Sequence, residues 1–246
     1  MNFCFFLYRR LCRFVTCVLR TGTGSIVLRT KYDVASFQDV FCGPYYWQVY
    51  TLLGEEPPLT IVDAGANVGH FSILVSCCLE TKYEKTNLAR FHLIEPNAQA
   101  RRLLEKNLRD AGMLGRCVIH AGALGEKAGV AQLRIDPKNF LTSSVVTSEE
   151  ATGSSSSVVY LDLNELVPGP IDILKIDIEG SEHAFLIANP EVLSRTQHLM
   201  LELHETTPAK REQMLMAIAN SGLSSVGPPI HLNGQELFVF SRLFAK

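Results

Sequence analysis

Residues 61–72, IVDAGANVGHFS, join a short apolar segment to a helical one through a glycine-containing turn. The apolar segment Leu59–Asp63 predicts a buried strand, and the pattern that follows predicts a helix near Gly69–Leu79. Gly65 permits a tight turn, and Gly69 allows the helix to pack closely on the strand. A strand, a glycine turn and a helix in this order predict the first unit of an α/β sheet.

Strand and helix patterns alternate along the chain from residue 59 onward. Further strands are predicted at Phe91–Glu95, Cys117–His120, Ile171–Asp177, His198–Leu203 and Glu236–Ser241, and further helices over Asn97–Ala111 and Pro208–Ala219. Between them, Val130–Ile135 predicts a hairpin and Ser154–Ser157 a solvated linker. The alternation predicts a doubly wound, mostly parallel, Rossmann-like sheet with helices on both faces.

The N-terminal segment has a different pattern. Over residues 1–20, apolar residues recur at spacings of three and four, with arginines opposite, which predicts an amphipathic helix that ends at Gly22 and Gly24. Such a helix lies on an anionic membrane surface, serves as an import presequence, or packs on the domain. We therefore divide the chain into an N-terminal helix and linker, residues 1–36, and one domain, residues 37–246.

Composition limits the classes of function. Of the 246 residues, 47% are apolar and 20% are charged, and no run of 18 apolar residues occurs, which argues against a polytopic membrane protein. The net charge is −2, but residues 1–32 carry six basic residues and no acid, so the rest holds 17 basic and 25 acidic residues. An acidic body disfavours a nucleic-acid partner. Seven cysteines without a CxxC motif indicate reduced thiols and a reducing compartment such as the cytoplasm.

The turn after the first strand favours one class of ligand. A dinucleotide loop needs a second glycine where this chain has Asn67, because the pyrophosphate approaches the backbone there. A carboxylate at Asp63 would also repel a phosphate and attract a sulfonium and an ammonium group. We therefore expect S-adenosylmethionine rather than NAD(P). The second strand ends at Glu95, before Pro96, and an acid there suits a ribose diol of either cofactor.

Charged residues follow two later strands. Lys175, Asp177 and Glu179 alternate in LKIDIEG, and the next strand carries Glu202 and His204 in LELHE. Adjacent strands lie about 4.8 Å apart, so these side chains are expected to converge above one edge of the sheet. The alternative is structural, with Lys175 simply neutralising Asp177.

These motifs together resemble the FkbM family of S-adenosylmethionine-dependent methyltransferases. The resemblance extends from Phe37 to Phe240 and is carried by IVDAGANVGHFS, HLIEPN, AGALGEKAG, LKIDIEGSE and LELHE. It implies a seven-stranded class I methyltransferase fold and O-methylation of a sugar or another small hydroxylated metabolite.

The resemblance also implies roles for individual residues. The methionine part of the cofactor would be held by Asp63, Gly65, Ala66, Asn67 and Gly69. Glu95 with Pro96 would hold the ribose, Ala123 and Leu124 the adenine, and Asp177 would face the sulfonium and the acceptor. The third strand departs from the pattern, because His120-Ala121-Gly122 lacks the acid that many methyltransferases direct at adenine.

An alcohol acceptor has to lose a proton, so a general base is expected. His204 is the preferred base because an unperturbed imidazole titrates near neutrality, and Asp177 is the second choice. Lys175 and Glu179 complete the predicted catalytic group, whereas His70 and His183 better fit packing or helix-surface positions. Alternatively, a divalent metal held by Asp177, Glu179 and Glu202 would acidify the hydroxyl.

The acceptor site is expected to use segments outside the motifs. Tyr45 and Tyr46, next to Trp47, precede the first strand, and a sugar ring would stack on such aromatics. Asn139, Ser143 and Ser144 offer hydrogen bonds from the long insertion. Two other functions remain open: methylation of a protein or RNA, and a non-catalytic cofactor-binding module tethered by its N-terminal helix.

Overall fold

The computed structural model describes residues 16–83, 89–126, 129–134, 144–146, 155–232 and 234–242. The strands are β1 Cys17–Arg20, β2 Ser25–Leu28, β3 Thr60–Ala64, β4 Arg90–Ile94, β5 Cys117–His120, β6 Gly129–Arg134, β7 Ser144–Val146, β8 Ser155–Tyr160, β9 Ile171–Ile176, β10 Thr196–Leu203, β11 Leu223–Ser225, β12 Ile230–Leu232 and β13 Gln235–Arg242. The α-helices are α1 Lys31–Cys42, α2 Val49–Leu52, α3 His70–Lys82, α4 Ala98–Asp110, α5 Leu163–Leu166, α6 Glu182–Ala188, α7 Pro190–Ser194 and α8 Pro208–Asn220.

The main sheet has the order β11-β13-β10-β9-β3-β4-β5, with β12 added alongside β13. The pairs from β10 through to β5 are parallel, whereas β13 pairs antiparallel with β10, β11 and β12. The predicted α/β fold with a mostly parallel, seven-stranded sheet is confirmed. The orientation is mixed at one side, where β12 adds an eighth strand.

The central strands are buried on both faces because their residues alternate between two apolar clusters. Ile61 and Ile173 pack into the cluster that includes α1, α3 and α4, and their neighbours Val62 and Leu174 pack into the cluster that includes α6 and α8. Successive side chains of a strand point to opposite faces, so a continuous apolar run fills both layers. The carboxyl ends of β3, β9 and β10 consequently meet at one edge of the sheet.

The N-terminal prediction is wrong where the structure describes it. Residues Cys17–Arg20, the end of the predicted helix, form strand β1, which pairs antiparallel with Ser25–Leu28. The turn between them is held by Thr21, whose hydroxyl accepts a hydrogen bond from the Gly24 amide at 3.0 Å. Backbone pairing with the neighbouring strand β2 therefore overrides the helical spacing of the apolar residues. Residues 1–15 lie outside the described residues.

Helix α1 follows the hairpin and crosses the predicted domain boundary between residues 36 and 37. A reciprocal capping box begins the helix: Thr30 accepts from the Asp33 amide at 3.1 Å, and Asp33 accepts from the Thr30 amide at 2.8 Å. The side chain of Asn107 in α4 donates to Asp33 at 3.0 Å, which fixes α1 to the domain. In the parts of the chain that are described, no helix is long and apolar enough to cross a membrane.

The insertion forms a small antiparallel sheet in the order β7-β6-β8. The predicted hairpin strand corresponds to β6, but the predicted linker at Ser154–Ser157 is wrong, because Ser155–Ser157 begin β8 and pair with β6. Ser156 and Ser157 are exposed, so backbone pairing rather than side-chain burial holds them in the strand.

Candidate active site

The turn after β3 brings its backbone against the end of β9. Gly65, Asn67 and Gly69 all have positive φ, at 77°, 51° and 90°, which is the left-handed region. A Cβ atom added to Gly65 would lie 1.6 Å from the carbonyl oxygen of Asp177. Only glycine fits at this position, and the turn therefore sits directly beside the residues that follow β9.

Asp63 lies beneath this turn rather than at its mouth. Its side chain has no exposed surface; Ser72 donates to its Oδ2 at 2.8 Å, and Lys175 Nζ is 3.5 Å from its Oδ1. Burial raises the pKa of Asp63 despite the charge of Lys175. Lys175 also donates to the Gly65 carbonyl at 2.7 Å. The expected place of Asp63 at the mouth of the turn is therefore wrong, because its carboxylate pairs with Lys175 and supports the turn from beneath. Its contact with the donor remains a prediction.

Glu95 ties the turn to the start of α4. Its Oε2 accepts from the Asn67 amide at 2.8 Å, and its Oε1 accepts from the Asn97 amide at 2.7 Å. Burial raises the pKa of Glu95 to about 7, although the two amides oppose this shift. Each carboxylate oxygen retains a second lone pair, so the ribose role remains a prediction.

The predicted adenine contacts are buried. Ala123 is 4% exposed and Leu124 is 1% exposed, and Ala123 exchanges backbone hydrogen bonds with Val159 and Leu161 at 2.9 Å. The ends of β5 and β8 are thereby held together, and the contacts of Ala123 and Leu124 with adenine remain predictions.

The expected convergence of charged side chains after β9 and β10 is confirmed. Lys175 Nζ lies 3.1 Å from Asp177 Oδ2, and His204 Nε2 lies 3.8 Å from Asp177 Oδ1 and 3.2 Å from Glu179 Oε2. Burial opposes the charge of Lys175, but Asp177 and Asp63 outweigh it and raise the lysine pKa. Glu179 adopts φ 52°, because β9 has ended at Ile176 and the chain turns here.

His204 is surrounded by carboxylates. Its Nδ1 is 2.9 Å from Oε1 of Glu182, a side chain that is 3% exposed. Burial lowers the pKa of His204, but the contacts with Glu179 and Glu182 and the charge of Asp177 outweigh burial and raise it to about 11. The premise of an unperturbed imidazole is therefore wrong. Glu182 was not singled out from the sequence, although it is the last residue of the LKIDIEGSE motif.

Tyr46 bridges the N-terminal segment to β10. Its hydroxyl donates to Glu202 Oε2 at 2.7 Å, and the neighbouring Tyr45 hydroxyl donates to the Phe238 carbonyl at 3.0 Å. Burial, together with the charge of Asp177, raises the pKa of Glu202 to about 7. Trp47, in contrast, is 44% exposed and donates to the Phe41 carbonyl.

A cavity of about 340 Å³ lies between α1, the turn after β3, the ends of β9 and β10, and the β12–β13 hairpin. Its polar lining includes Ser36, Asp39, Tyr45, Tyr46, Asn67, His70, Lys175, Asp177, Glu179, Glu202 and Gln235. Of the predicted acceptor residues, Tyr45 and Tyr46 therefore line it. Ser144 begins β7, and its contact with the acceptor remains a prediction. Asn139 and Ser143 lie outside the described residues.

His70 is a cavity residue that the sequence analysis assigned to packing. It is 1% exposed, yet neither ring nitrogen has a hydrogen-bond partner among the described residues. Burial lowers the pKa of His70 to about 4, so the imidazole is neutral. It presents one donor and one acceptor at the start of α3. No local sequence pattern indicates that this polar ring would be left unpaired.

The ligand atoms of Asp177, Glu179 and His204 lie within 4.8 Å of one another and could hold a metal ion. This set differs from the predicted set of Asp177, Glu179 and Glu202. The difference arises because Glu202 turns toward Tyr46, whereas His204 turns toward the two carboxylates.

A family model described as the methyltransferase FkbM domain matches residues 63–223, more than half of the chain. No curated protein matches the sequence. The solved structure of methyltransferase FkbM from Methylobacillus flagellatus KT is 18% identical, with a TM-score of 0.55 over 85% of this chain and 54% of that one. The present chain thus spans about half of that protein's length.

Two other solved structures show the same fold. An O-methyltransferase family protein from Burkholderia thailandensis is 10% identical, with a TM-score of 0.50 over 88% of this chain and 60% of that one. A putative rRNA-methylase from Clostridium thermocellum is 8% identical, with a TM-score of 0.50 over 80% and 93% of the two chains. At these identities the likeness concerns the fold alone.

Proposed function

Because the chain belongs to the FkbM family of methyltransferases, we propose that it transfers a methyl group from S-adenosylmethionine to a hydroxyl group of a sugar or another small metabolite. The observation that carries this proposal is the cavity beside the turn after β3, which Asp177, Glu179 and Glu202 line with carboxylates. A positively charged methyl donor fits such a lining, and a pyrophosphate does not.

Donor binding is assigned to the turn and to the strand ends beside it. Gly65 and Ala66 line the cavity together with Asn67, and Glu95 fixes the backbone of Asn67 from below. Asn67 itself has positive φ where a dinucleotide loop would use glycine for close phosphate approach. The negative charge that faces the donor comes from Asp177 rather than from Asp63, because Asp63 is enclosed.

The donor supplies an electrophilic methyl carbon on a positively charged sulfur. In the transfer, the acceptor oxygen forms a bond to that carbon, the carbon–sulfur bond breaks with its electron pair going to sulfur, and the hydroxyl proton leaves the acceptor. Asp177 and Glu202 both line the cavity and are available to accept this proton. His204 does not line it and lies behind Asp177 and Glu179, so we assign it a positioning role.

Burial of the cavity suits this chemistry, since alignment and exclusion of water are the main requirements of an in-line displacement. Tyr45 and Tyr46 are 2% and 8% exposed and form the wall toward the N-terminal segment. Four acidic side chains in the lining, counting Asp39, disfavour phosphorylated acceptors and RNA.

Transfer of labelled methyl groups to a fractionated extract tests the proposal. We expect label in a small molecule as a methyl ether, and at least a hundredfold loss of transfer in Asp177→Asn, because this removes the charge nearest the sulfonium. Glu205→Gln serves as the control, since Glu205 is exposed and follows the neighbouring strand β10. Label in protein or RNA would show that the acceptor is a macromolecule and not a small metabolite. If the protein binds the donor but transfers no methyl group, it is a non-catalytic module.

A further inference from the structure

His204 faces two carboxylates at the carboxyl edge of β9 and β10. Its Nε2 is fully buried, lies 3.2 Å from Glu179 Oε2 and 3.8 Å from Asp177 Oδ1, and has no hydrogen bond to any described residue. The contact with Glu179 is thus close enough for an ion pair but lacks hydrogen-bond alignment.

We propose that Asp177, Glu179 and His204 form a binding site for one divalent transition-metal ion at the carboxyl edge of β9 and β10. One imidazole nitrogen and two carboxylate oxygens are a donor set that suits Mn²⁺ or Fe²⁺. Ligands about 2.1 Å from a metal are roughly 3.0 Å apart in octahedral and roughly 3.4 Å apart in tetrahedral geometry. The distance of 3.2 Å between His204 Nε2 and Glu179 Oε2 falls within this range, and the distance of 3.8 Å between Nε2 and Asp177 Oδ1 is slightly longer.

The surroundings of the three ligands support the assignment. Glu182 accepts from His204 Nδ1 at 2.9 Å and is itself buried, so Nε2 is the ring nitrogen that faces the two carboxylates. A carboxylate that orients a metal-binding histidine through its other nitrogen is a frequent outer-shell arrangement. Lys175 contacts Oδ2 of Asp177 at 3.1 Å, which leaves Oδ1 directed at His204.

The role of the ion rests on the proposed function, whereas its binding does not. Asp177 and Glu179 line the cavity, so an ion held between them would be reached by an acceptor hydroxyl. A divalent ion there would bind that oxygen, facilitate loss of its proton and fix its direction of attack.

Titration of the full chain with Mn²⁺, followed by calorimetry and by loss of the free-ion paramagnetic resonance signal, tests the site. Mn²⁺ is chosen because its preference for oxygen and nitrogen ligands avoids the free thiols. We expect one ion per chain and at least tenfold weaker binding in Asp177→Asn and His204→Gln. The matched control is His183→Gln, since His183 contacts Gln213 instead and should leave binding unchanged.

Glu179→Gln provides a variant with little risk to folding, because the Glu179 side chain is 33% exposed. It should also weaken Mn²⁺ binding at least tenfold. Absence of binding at millimolar Mn²⁺ in the wild-type protein, or equal binding by all variants, would overturn the metal site. If the protein binds S-adenosylmethionine but not Mn²⁺, the metal site is wrong and the proposed function stands. If it binds Mn²⁺ but not S-adenosylmethionine, the proposed function is wrong and the metal site stands.

Discussion

His70 shows at the scale of one residue how the cavity departs from a packed core. The ring lies edge-on to Phe37 and Phe41, with centroids 6.0 and 6.3 Å away, so aromatic carbon surrounds two unpaired nitrogens. Leaving buried polar groups unpaired costs about 1–3 kcal/mol. Because His70 lines the cavity, its ring nitrogens are placed to form hydrogen bonds with a molecule bound there.

Replacement of His70 by phenylalanine should therefore stabilise the protein and weaken ligand binding. Phenylalanine has no polar atoms to leave unpaired beside Phe37 and Phe41. We therefore expect the free energy of unfolding at pH 7 to rise by about 1 kcal/mol or more. Affinity for the ligand of this cavity should fall in the same variant. Denaturant unfolding and calorimetry with S-adenosylmethionine measure both effects, and a destabilised variant with unchanged affinity would make His70 a packing residue.

The same variant gives a test by pH. The pKa of His70 is lowered to about 4 by burial, so between pH 4 and the ordinary histidine value the unfolded chain binds more protons than the folded one. The wild-type free energy of unfolding should then rise with pH across this window by about 3 kcal/mol. The protein loses this stability again when the pH falls toward 4. His70→Phe should lack this rise.

At the scale of the element, the close contact between the turn after β3 and the end of β9 depends on Gly65. A methyl group there would overlap the Asp177 carbonyl at 1.6 Å, and its φ of 77° is unfavourable for other residues. The end of β9 therefore fixes the position of the turn directly. Asn67 also has positive φ, and Glu95 stabilises this conformation by accepting a hydrogen bond from the Asn67 amide.

Gly65→Ala should accordingly separate the turn from β9. We expect a loss of more than 3 kcal/mol in the free energy of unfolding, or no folded protein, because two backbone segments would have to move. Gly54→Ala is the control: nothing lies within 4 Å of its added Cβ, and it should change stability by less than about 0.5 kcal/mol. Equal midpoints of denaturant unfolding for the two variants would contradict this account of the turn.

Elements dominated by local pattern were predicted well from sequence. β5 matches its predicted bounds, β3 and β4 are shifted from theirs by one residue at both ends, and α8 ends one residue later than predicted. The N-terminal hairpin and β8 were missed because each depends on a partner strand that no local spacing reveals. The side-chain cluster after β9 was found from period-two alternation, but the enclosure of Asp63 by Lys175 and Ser72 was not, because it depends on packing between elements.

At the scale of the whole molecule, sheet order assembles the site. β3, β9 and β10 are adjacent in the sheet although Asp63 and His204 lie far apart in the chain. Parallel strands bring their carboxyl ends to one edge, and the cavity forms where α1 and the β12–β13 hairpin cover that edge. The acidic body and the acidic cavity agree in disfavouring polyanionic partners.

The central claim is that this edge binds a positively charged methyl donor, and calorimetric titration of the full chain tests it most directly. We expect saturable binding of S-adenosylmethionine at one site per chain, none of NADH, and at least tenfold weaker binding of S-adenosylmethionine in Glu95→Ala, which frees the Asn67 amide that Glu95 now holds. Saturable binding of NADH with no heat from S-adenosylmethionine would contradict the account.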